Sequence, residues 1–217
     1  MTCKLFGLVY DFFMTYDSKH TEIIGPKEGY DAVAQQYGQY HKHLNSFYTI
    51  NFLQFFPRKK SFDIIDLGAG DGRMWYQLKD IPHEKYLAVD ISKEMLARHP
   101  RGAKHLVADL EKPLPLESDS FDVAVSFFTL EHLERLEVLF SEVYRILRPE
   151  GQLFIGHFFQ RRMFERNTHS KRFKIQQYPR STEEILQEGE YAGFAMETVK
   201  LFDKEIQTGD LIIGRKK

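Results

Sequence analysis

Cysteine is almost absent from this chain, because Cys3 is the only one among 217 residues. A disulfide framework or a thiolate zinc site within one chain is therefore excluded, and a reducing compartment such as the cytoplasm is expected. No stretch reaches the ~20 apolar residues that a membrane-spanning helix needs. The apolar segment Leu5–Tyr10 is followed by Asp11 and by no small-residue cleavage site, so a signal peptide is not predicted. We interpret that segment as a packing arm, with a contact in a homodimer or at a substrate pocket as the alternative.

The chain also has almost no excess charge of either sign, because 30 basic and 31 acidic side chains leave a net charge of −1. No overall electrostatic field therefore directs the chain toward nucleic acid or a membrane surface. Internal repeats and low-complexity segments are absent as well. What remains is an ordinary globular composition with 42% hydrophobic residues and a length that suits one domain.

The most informative segment is Asp63–Arg73, in which an apolar run ends in a bend with glycine at positions 68, 70 and 72. Glycine lacks a Cβ atom, so the main chain of such a bend approaches a ligand closely. The helix expected next offers unpaired N–H groups and the positive end of its dipole to a negative group. The spacing differs from the dinucleotide fingerprint G-x-G-x-x-G, whose third glycine comes one residue later. The segment therefore predicts a nucleotide-type cofactor site, but the glycines alone do not name the cofactor.

Three acidic residues end three successive apolar runs along the chain: Asp66, Asp90 and Asp109. If these runs are parallel strands, their carboxyl ends meet at one edge of the sheet. An acid at the end of the second strand of such a sheet accepts hydrogen bonds from both hydroxyls of a ribose. The pattern thus predicts Asp90 as a ribose ligand, with capping of the helix that begins near Ser92 as the alternative.

Strand and helix signals alternate through the middle of the chain. Strands are predicted near 62–67, 86–90, 103–108, 121–127 and 152–159, and helices from Gly70, from Ser92 and over 133–147. This alternation predicts an α/β protein with a doubly wound, mostly parallel sheet and helices on both faces. After a capping box at Ser181–Glu184, strands near 194–204 and 209–215 are too close for a helical crossover, so an antiparallel C-terminal hairpin is expected. Apolar residues at three- and four-residue steps between 28 and 56 predict an N-terminal helical cap.

Together these features resemble the class I S-adenosylmethionine (SAM)-dependent methyltransferases, in particular the small-molecule branch that includes the ubiquinone and menaquinone C-methyltransferases. The resemblance extends from about Tyr30 to the C-terminus and includes the glycine bend, Asp90 and four further segments: Ala108–Pro115, Phe121–Ser126, Glu131–Leu133 and Val143–Gly151. It implies a Rossmann-like fold and a single methyltransferase domain over residues 1–217. Residues 1–57 would form the N-terminal arm and helical cap, and residues 58–217 the core with a basic insert at 157–180.

The resemblance assigns SAM to the glycine bend and the acidic strand ends. Asp66 would meet the ammonium group of SAM, Asp109 the adenine amino group, and the backbone N–H of Leu110 an adenine ring nitrogen. The other cofactor contacts are expected from main-chain and apolar groups of Gly68, Ala69, Gly70, Ile91, Met95, Ser126 and Phe127. The alternatives are a helix-start acid for Asp66 and ordinary core packing for Met95.

The cap and the end of the fourth strand supply the remaining candidates. Tyr30 and Tyr37 lie on the predicted cap helix, where an aromatic ring near a sulfonium is favourable; packing of this helix on the sheet is the alternative. A general base is required only when the acceptor holds a proton at neutral pH. His132 is the first candidate, because histidine titrates near neutrality, and His157 is the second. Glu131 is interpreted as a helix-start acid rather than a base, and no metal site is predicted.

The segment 157–180 has an excess of basic side chains: Arg161, Arg162, Arg166, Lys171, Arg172, Lys174 and Arg180, against Glu165 alone. A solvated loop is the default interpretation, followed by a lid that pairs with an anionic acceptor and then by a nucleic-acid contact. We therefore expect SAM-dependent methyl transfer to a small-molecule acceptor. Methylation of RNA or protein, SAM binding without transfer, and nicotinamide oxidoreduction are the alternatives.

Overall fold

The computed structural model describes residues 21–37, 52–159, 165–168, 171–203 and 205–217. Three features of the sequence lie outside these residues: the apolar segment at 5–10, the middle of the predicted cap at 38–51, and the pair Arg161 and Arg162.

The helices and strands follow one another along the chain, beginning with a short strand and a helix. They are β1 (Glu22–Ile24), α1 (Pro26–Tyr37), β2 (Phe62–Leu67), α2 (Arg73–Leu78), β3 (His83–Asp90), α3 (Lys93–Leu96), β4 (Lys104–Val107), β5 (Phe121–Phe127), a 3₁₀ turn (Leu130–His132), α4 (Leu136–Ile146), β6 (Leu147–Phe158), β7 (Glu165–Asn167), β8 (Arg172–Ile175), α5 (Thr182–Tyr191), β9 (Phe194–Asp203) and β10 (Ile206–Lys216).

Seven of the strands form the main sheet, in the order β4-β3-β2-β5-β6-β10-β9. The first five strands in this order are parallel, whereas β10 runs antiparallel to both β6 and β9. Only residues 204–205 separate β9 from β10. Because a helical crossover needs about a dozen residues, so short a link allows only a hairpin. The predicted α/β fold with an antiparallel C-terminal hairpin is confirmed.

The central strands are buried on both faces, because helices cover both. On one face, Ile65 and Leu67 of β2 pack with Phe140 of α4. On the other face, Ile64 packs with Leu78 of α2. A strand covered on both sides is expected to be apolar almost throughout. The end of β2, where Asp66 lies, is therefore strongly desolvated, and this affects the ionisation of Asp66.

A second, three-stranded sheet was not predicted from the sequence. In it β8 pairs parallel with β1 and antiparallel with β7. Helix α1 packs against this sheet, with Val33 beside Phe173 and Ile175. Gly29 permits the close approach, since a Cβ atom there would lie 2.6 Å from Cγ1 of Ile175. We call α1 together with this small sheet the cap.

The described part of the basic segment belongs to the cap, so the default interpretation of a solvated loop is wrong there. It forms β7 and β8. Lys171 pairs with Glu22 at 3.0 Å and with Glu28 at 3.5 Å. Arg180 donates to two backbone carbonyls just after the 3₁₀ turn. These two cations therefore stabilise the cap and its attachment to the core.

Two helices begin later than predicted. Helix α2 starts at Arg73, because Gly70 and Gly72 have positive φ angles of 54° and 87°. Helix α4 starts at Leu136, because Leu133 is extended after the 3₁₀ turn. The capping box at the start of α5 is present as predicted. Within the described ranges, no helix is both long enough and apolar enough to cross a lipid bilayer.

Candidate functional site

A cavity opens at the carboxyl edge of the main sheet, where the strand ends face the cap. Its volume is about 1140 Å³ including its open mouth. All but two of the residues predicted as cofactor ligands or bases line this cavity. The two exceptions are Ser126 and the second candidate base, His157.

The glycine bend connects β2 with the end of β3. The N–H groups of Gly68 and Ala69 both donate to the carbonyl of Val89, at 2.8 and 3.0 Å. The N–H group of Gly70 donates to Oδ2 of Asp90 at 2.8 Å. These three donors are therefore used inside the protein rather than offered to a ligand. What the bend presents to the cavity is a surface without Cβ atoms.

Gly68 is the position in the bend where a side chain is least tolerated. Its φ angle is +77°, and an added Cβ atom would lie 2.1 Å from Oγ1 of Thr129. We expect Gly68→Ala to destabilise the protein by about 2–5 kcal/mol through backbone strain and overpacking. Urea denaturation followed by circular dichroism measures this. Gly25→Ala, where nothing lies within 4 Å of the added atom, is the matched control and should change stability by less than about 0.5 kcal/mol. Equal stability of the two variants would contradict the strained geometry.

Asp90 ends β3 with its carboxylate facing the cavity. Oδ1 accepts the N–H of Ser92 and Oδ2 that of Gly70, both at 2.8 Å. Burial raises the pKa of Asp90, and these two backbone donors oppose that shift. Because a carboxylate oxygen has two lone pairs, each oxygen retains the capacity for one further donor.

Asp66 lies at the end of β2 and is only 1% exposed. Its Oδ2 accepts a hydrogen bond from the hydroxyl of Tyr86 at 2.8 Å. Burial raises the pKa of Asp66 to about 7, with the Tyr86 hydrogen bond opposing the rise. The side chain therefore changes charge near neutral pH, and a cation in the cavity would favour the carboxylate.

The other end of the cavity is lined by residues that follow β3 and β4. Oδ1 of Asp109 accepts the N–H of Glu111 at 3.0 Å, and Leu110 is buried beside it. Met95 is 2% exposed, and its Cε atom would lie 3.2 Å from a Cβ atom at Gly70. Met95 is therefore both core and cavity wall, so its two interpretations are compatible. Ile91 lines the same part of the cavity.

Ser126 was predicted to line the site, but the structure places it outside the cavity. Its side chain is 1% exposed and donates to the carbonyl of Leu67 at 3.0 Å, so it joins β5 to β2. Phe127, Phe128 and Thr129 line the cavity at this strand end. The φ angle of Phe128 is 59°, a left-handed conformation that costs a bulky residue about 1–3 kcal/mol. No sequence signal marks this turn, because neither glycine nor asparagine occupies it.

The cap contributes Tyr30 and Tyr37, whose rings meet edge to face at 5.7 Å between centroids. The hydroxyl of Tyr30 lies 2.7 Å from Nε2 of His132. Nδ1 of His132 lies 2.8 Å from the carbonyl oxygen of Gln176. Burial lowers the pKa of His132, so the ring is neutral at pH 7. The first candidate base is therefore in the cavity and bonded to the cap.

The two remaining acid–base candidates do not line the cavity. His157 pairs in register with Asp210 of β10; burial lowers the pKa of His157, and Asp210 opposes the shift. Its position gives no support to a role as base. Glu131 was interpreted as a helix-start acid; it lies in the 3₁₀ turn ahead of α4, and burial raises its pKa to about 7. Among the residues that the structure describes, no three metal-binding side chains cluster.

Two residues at the site were missed by the sequence analysis. Asp31 on α1 accepts a hydrogen bond from the hydroxyl of Ser92 at 2.6 Å, which ties the cap to the residue that donates to Asp90. Arg73 lines the cavity with its guanidinium 4.5 Å from the ring centroid of Tyr37. Both contacts join segments far apart in the sequence, so no local pattern reveals them.

Comparison with known proteins agrees with this architecture. Residues 65–155 match the family model described as a methyltransferase domain. An uncharacterized protein of Methanocaldococcus jannaschii is 30% identical over 151 residues, which are 69% of this chain and 56% of that protein. A demethylmenaquinone methyltransferase of Chlamydia caviae is 28% identical over 140 residues, 59% of each chain. An S-adenosylmethionine-dependent methyltransferase from Mesorhizobium loti shares the fold, with a TM-score of 0.62 and 23% identity over 77% of this chain and 96% of that one.

The chain spans little more than half the length of these two curated relatives. The matched region nevertheless extends from β2 into β6 and includes the glycine bend, Asp66, Asp90 and His132. The family model, the related sequences and the shared fold therefore agree on one assignment. Residues 65–155 form a methyltransferase domain, on a fold shared with SAM-dependent methyltransferases.

Proposed function

We propose that this chain binds SAM and transfers its methyl group to a small-molecule acceptor. SAM supplies an electrophilic methyl group on a sulfonium, so the protein has only to bind, align the reactants and exclude water. The observation that most strongly supports the proposal is the meeting of Asp66, Asp90 and the glycine bend in one cavity.

Asp90 suits a ribose. Its two oxygens are held in place by backbone donors and each has one lone pair left for a hydroxyl group. Such hydrogen bonds to an ionised group are roughly twice as strong as neutral ones. Asp109 and Leu110 lie farther along the same edge, where the adenine would be held. The Cβ-free surface at Gly70 lets the main chain approach the bound ligand.

Asp66 suits the ammonium group of the amino-acid part. A buried carboxyl group with a pKa of about 7 becomes ionised when a cation is placed beside it. Tyr86 fixes its orientation from behind. This arrangement suits a ligand that ends in an ammonium group, which SAM has and a nicotinamide dinucleotide lacks.

The acceptor would enter on the side of Tyr30, Tyr37 and Phe128, beneath the cap. Arg73 lines this part of the cavity and would pair with a negatively charged acceptor in competition with Asp71, which lies 3.4 Å away. A small acceptor agrees with the enclosing position of the cap, which leaves the cavity bounded on the side opposite the sheet. The demethylmenaquinone methyltransferase among the relatives also acts on a small molecule by its name.

Incubation with methyl-labelled SAM tests the proposed function. Labelled small molecules should form from a metabolite extract, and demethylated cofactor should accumulate in the same amount. Label in RNA or protein instead, from matched macromolecular fractions, would favour the alternative acceptors. SAM binding without any labelled product would favour a non-catalytic SAM-binding protein.

Asp31→Ala is expected to weaken SAM binding about three- to tenfold by loosening the cap. Burial opposes ionisation of Asp31, but hydrogen bonds from Lys27 and Ser92 hold its pKa below the usual value. Loss of one such bond corresponds to about 0.5–1.5 kcal/mol. Calorimetry gives the affinity, and amide hydrogen exchange in α1 should become faster. Lys27→Ala removes only the exposed partner and serves as the control; an equal loss of affinity in both variants would contradict the role of the Asp31–Ser92 bond.

A further inference from the structure

The hydrogen bond between Tyr30 and His132 determines which atom a substrate meets. Nδ1 of His132 lies 2.8 Å from the carbonyl oxygen of Gln176, and a carbonyl only accepts, so Nδ1 carries the proton. In a neutral imidazole Nε2 is then the acceptor, and the hydroxyl of Tyr30 donates to it at 2.7 Å. The single basic nitrogen of His132 is therefore already occupied by Tyr30.

The hydroxyl oxygen of Tyr30 consequently has the role that was expected of His132, which is to accept a hydrogen bond from a bound group. Its proton is directed at Nε2, so its lone pairs remain to accept a hydrogen bond from another group. Both side chains line the cavity, on the cap side and the sheet side respectively. A group bound in the cavity can donate to this oxygen, whereas His132 has no vacant acceptor left.

We propose that the hydroxyl of Tyr30, relayed to His132, accepts the proton of a hydroxyl-bearing acceptor during methyl transfer. This inference rests on the proposed function and specifies its acceptor class. Tyr30 is the catalytic residue in this scheme, because it touches the acceptor, and His132 acts through it.

The step balances without any further reagent. The bond from the acceptor oxygen to the methyl carbon forms while the carbon–sulfur bond breaks, and that electron pair remains on sulfur. The acceptor proton moves to the oxygen of Tyr30, and the proton of Tyr30 moves to Nε2 of His132. The resulting imidazolium keeps its Nδ1–H bond to Gln176 and later releases one proton to solvent.

The need for a proton acceptor favours a hydroxyl over an amine. A neutral amine attacks through its own lone pair and needs no base, whereas a hydroxyl must lose its proton as its oxygen is methylated. The Tyr30–His132 pair supplies the group that takes this proton. The other ionisable groups that act on Tyr30 are Tyr37, Glu131, Arg166 and Asp90. Burial raises the pKa of Tyr30, so its hydroxyl stays protonated and works by passing a proton on.

Histidine-selective ¹⁵N NMR of the protein saturated with demethylated SAM tests the pair without any turnover. Wild-type protein should show a protonated Nδ1 and an unprotonated, hydrogen-bonded Nε2 for His132. In Tyr30→Phe the Nδ1 signal should persist while the Nε2 signal shifts toward that of a nitrogen without a donor. A protonated Nε2 in the wild type, or an Nε2 chemical shift that is the same in Tyr30→Phe, would overturn the relay.

Methylation of phenolic probes, catechol and 1,4-dihydroxynaphthalene, tests the role in transfer. General acid–base catalysis contributes about 10²–10⁴-fold, so Tyr30→Phe should lower kcat at pH 7 by at least about 100-fold. The affinity for SAM should stay within about threefold. Phenols ionise near pH 10, so the loss should shrink to a few-fold at that pH, because an ionised acceptor needs no base. Tyr76→Phe, the same change on an exposed tyrosine of α2, is the control and should behave as the wild type.

The alternative, His132 as the direct base, predicts a different outcome. Tyr30→Phe would then expose Nε2, and kcat at pH 7 would be retained or raised, which would overturn the proposal. A defect of equal size at every pH would indicate a structural role and would also overturn it. SAM binding with no methylation of either phenol would refute the acceptor class, whereas absence of SAM binding would refute the proposed function itself.

Discussion

Asp90→Asn is expected to weaken SAM binding by at least about 100-fold while leaving the fold intact. Hydrogen bonds to a charged group contribute about 1.5–3 kcal/mol each, and two ribose hydroxyls would lose such partners. An amide nitrogen in place of Oδ1 or Oδ2 would also face a backbone donor, either that of Ser92 or that of Gly70. Isothermal titration calorimetry with SAM measures the change, since each 1.4 kcal/mol corresponds to about tenfold in Kd.

The fold of this variant should survive, because the substitution removes a charge from a buried position. Burial raises the pKa of Asp90, so loss of the charge by itself costs the fold little. One backbone N–H, that of Ser92 or that of Gly70, loses its acceptor, so the unfolding temperature of ligand-free Asp90→Asn should fall by a few degrees while unfolding stays cooperative. Asp80→Asn, on a side chain that is 85% exposed, is the matched control and should bind SAM normally. A Kd for Asp90→Asn within fivefold of the wild type would contradict the ribose role.

SAM affinity is expected to rise with pH up to about 7 and to fall again above about pH 8, where the α-amino group of SAM loses its proton. Burial holds the pKa of Asp66 at about 7, and an ammonium beside it requires the ionised form. Below pH 7 binding must therefore expel a proton, and the affinity should fall by up to tenfold for each pH unit. Calorimetry in buffers of different ionisation enthalpy should detect about one proton released at pH 5.5 and about one taken up at pH 9, where the α-amino group of free SAM has lost its proton.

The stability of the ligand-free protein should change with pH in the opposite direction. The folded state holds a proton on Asp66 that the unfolded state releases between about pH 4 and pH 7, so stability falls as the pH rises through this window. Asp66→Asn removes the dependence and should be more stable than the wild type at pH 8 by about 2–4 kcal/mol, while the two converge near pH 4. The same variant should bind SAM poorly. Affinity and stability that are both independent of pH would contradict the assignment of Asp66.

The parts of the site that the sequence predicted are those encoded in short continuous segments. Asp66 and Asp90 could be found because each ends an apolar run that is buried on both faces, and because glycines follow the first of them. The antiparallel C-terminal hairpin was predicted because few residues separate the last two strands. In these cases the local pattern and the tertiary structure impose the same constraint.

The parts that were missed depend on contacts between distant segments. β7 and β8 have only three and four residues, too few for alternation to identify a strand, and β8 pairs with β1, which lies far away in the sequence. The backbone of Ser126 was expected at the cavity; its hydroxyl joins β5 to β2 across 59 positions of sequence, a contact that no local pattern marks. The contacts of Tyr30 and Asp31 were missed, because their partners lie 102 and 61 positions away.

Two neighbouring residues of α1 bind the cap to the core, one at each end of the cavity. Tyr30 contacts His132 at the end where the acceptor would enter, and Asp31 contacts Ser92 beside the ribose position. One helix thus connects the proposed cofactor and acceptor sites.

Calorimetric titration of the wild-type protein with SAM and with its demethylated product tests the central claim most directly. We predict saturable binding of one molecule of either ligand with a Kd below about 100 μM, corresponding to more than about 5 kcal/mol. NAD under identical conditions should give no binding heat. Absence of binding of both adenosyl ligands at millimolar concentration, on protein that is folded by circular dichroism, would contradict the account.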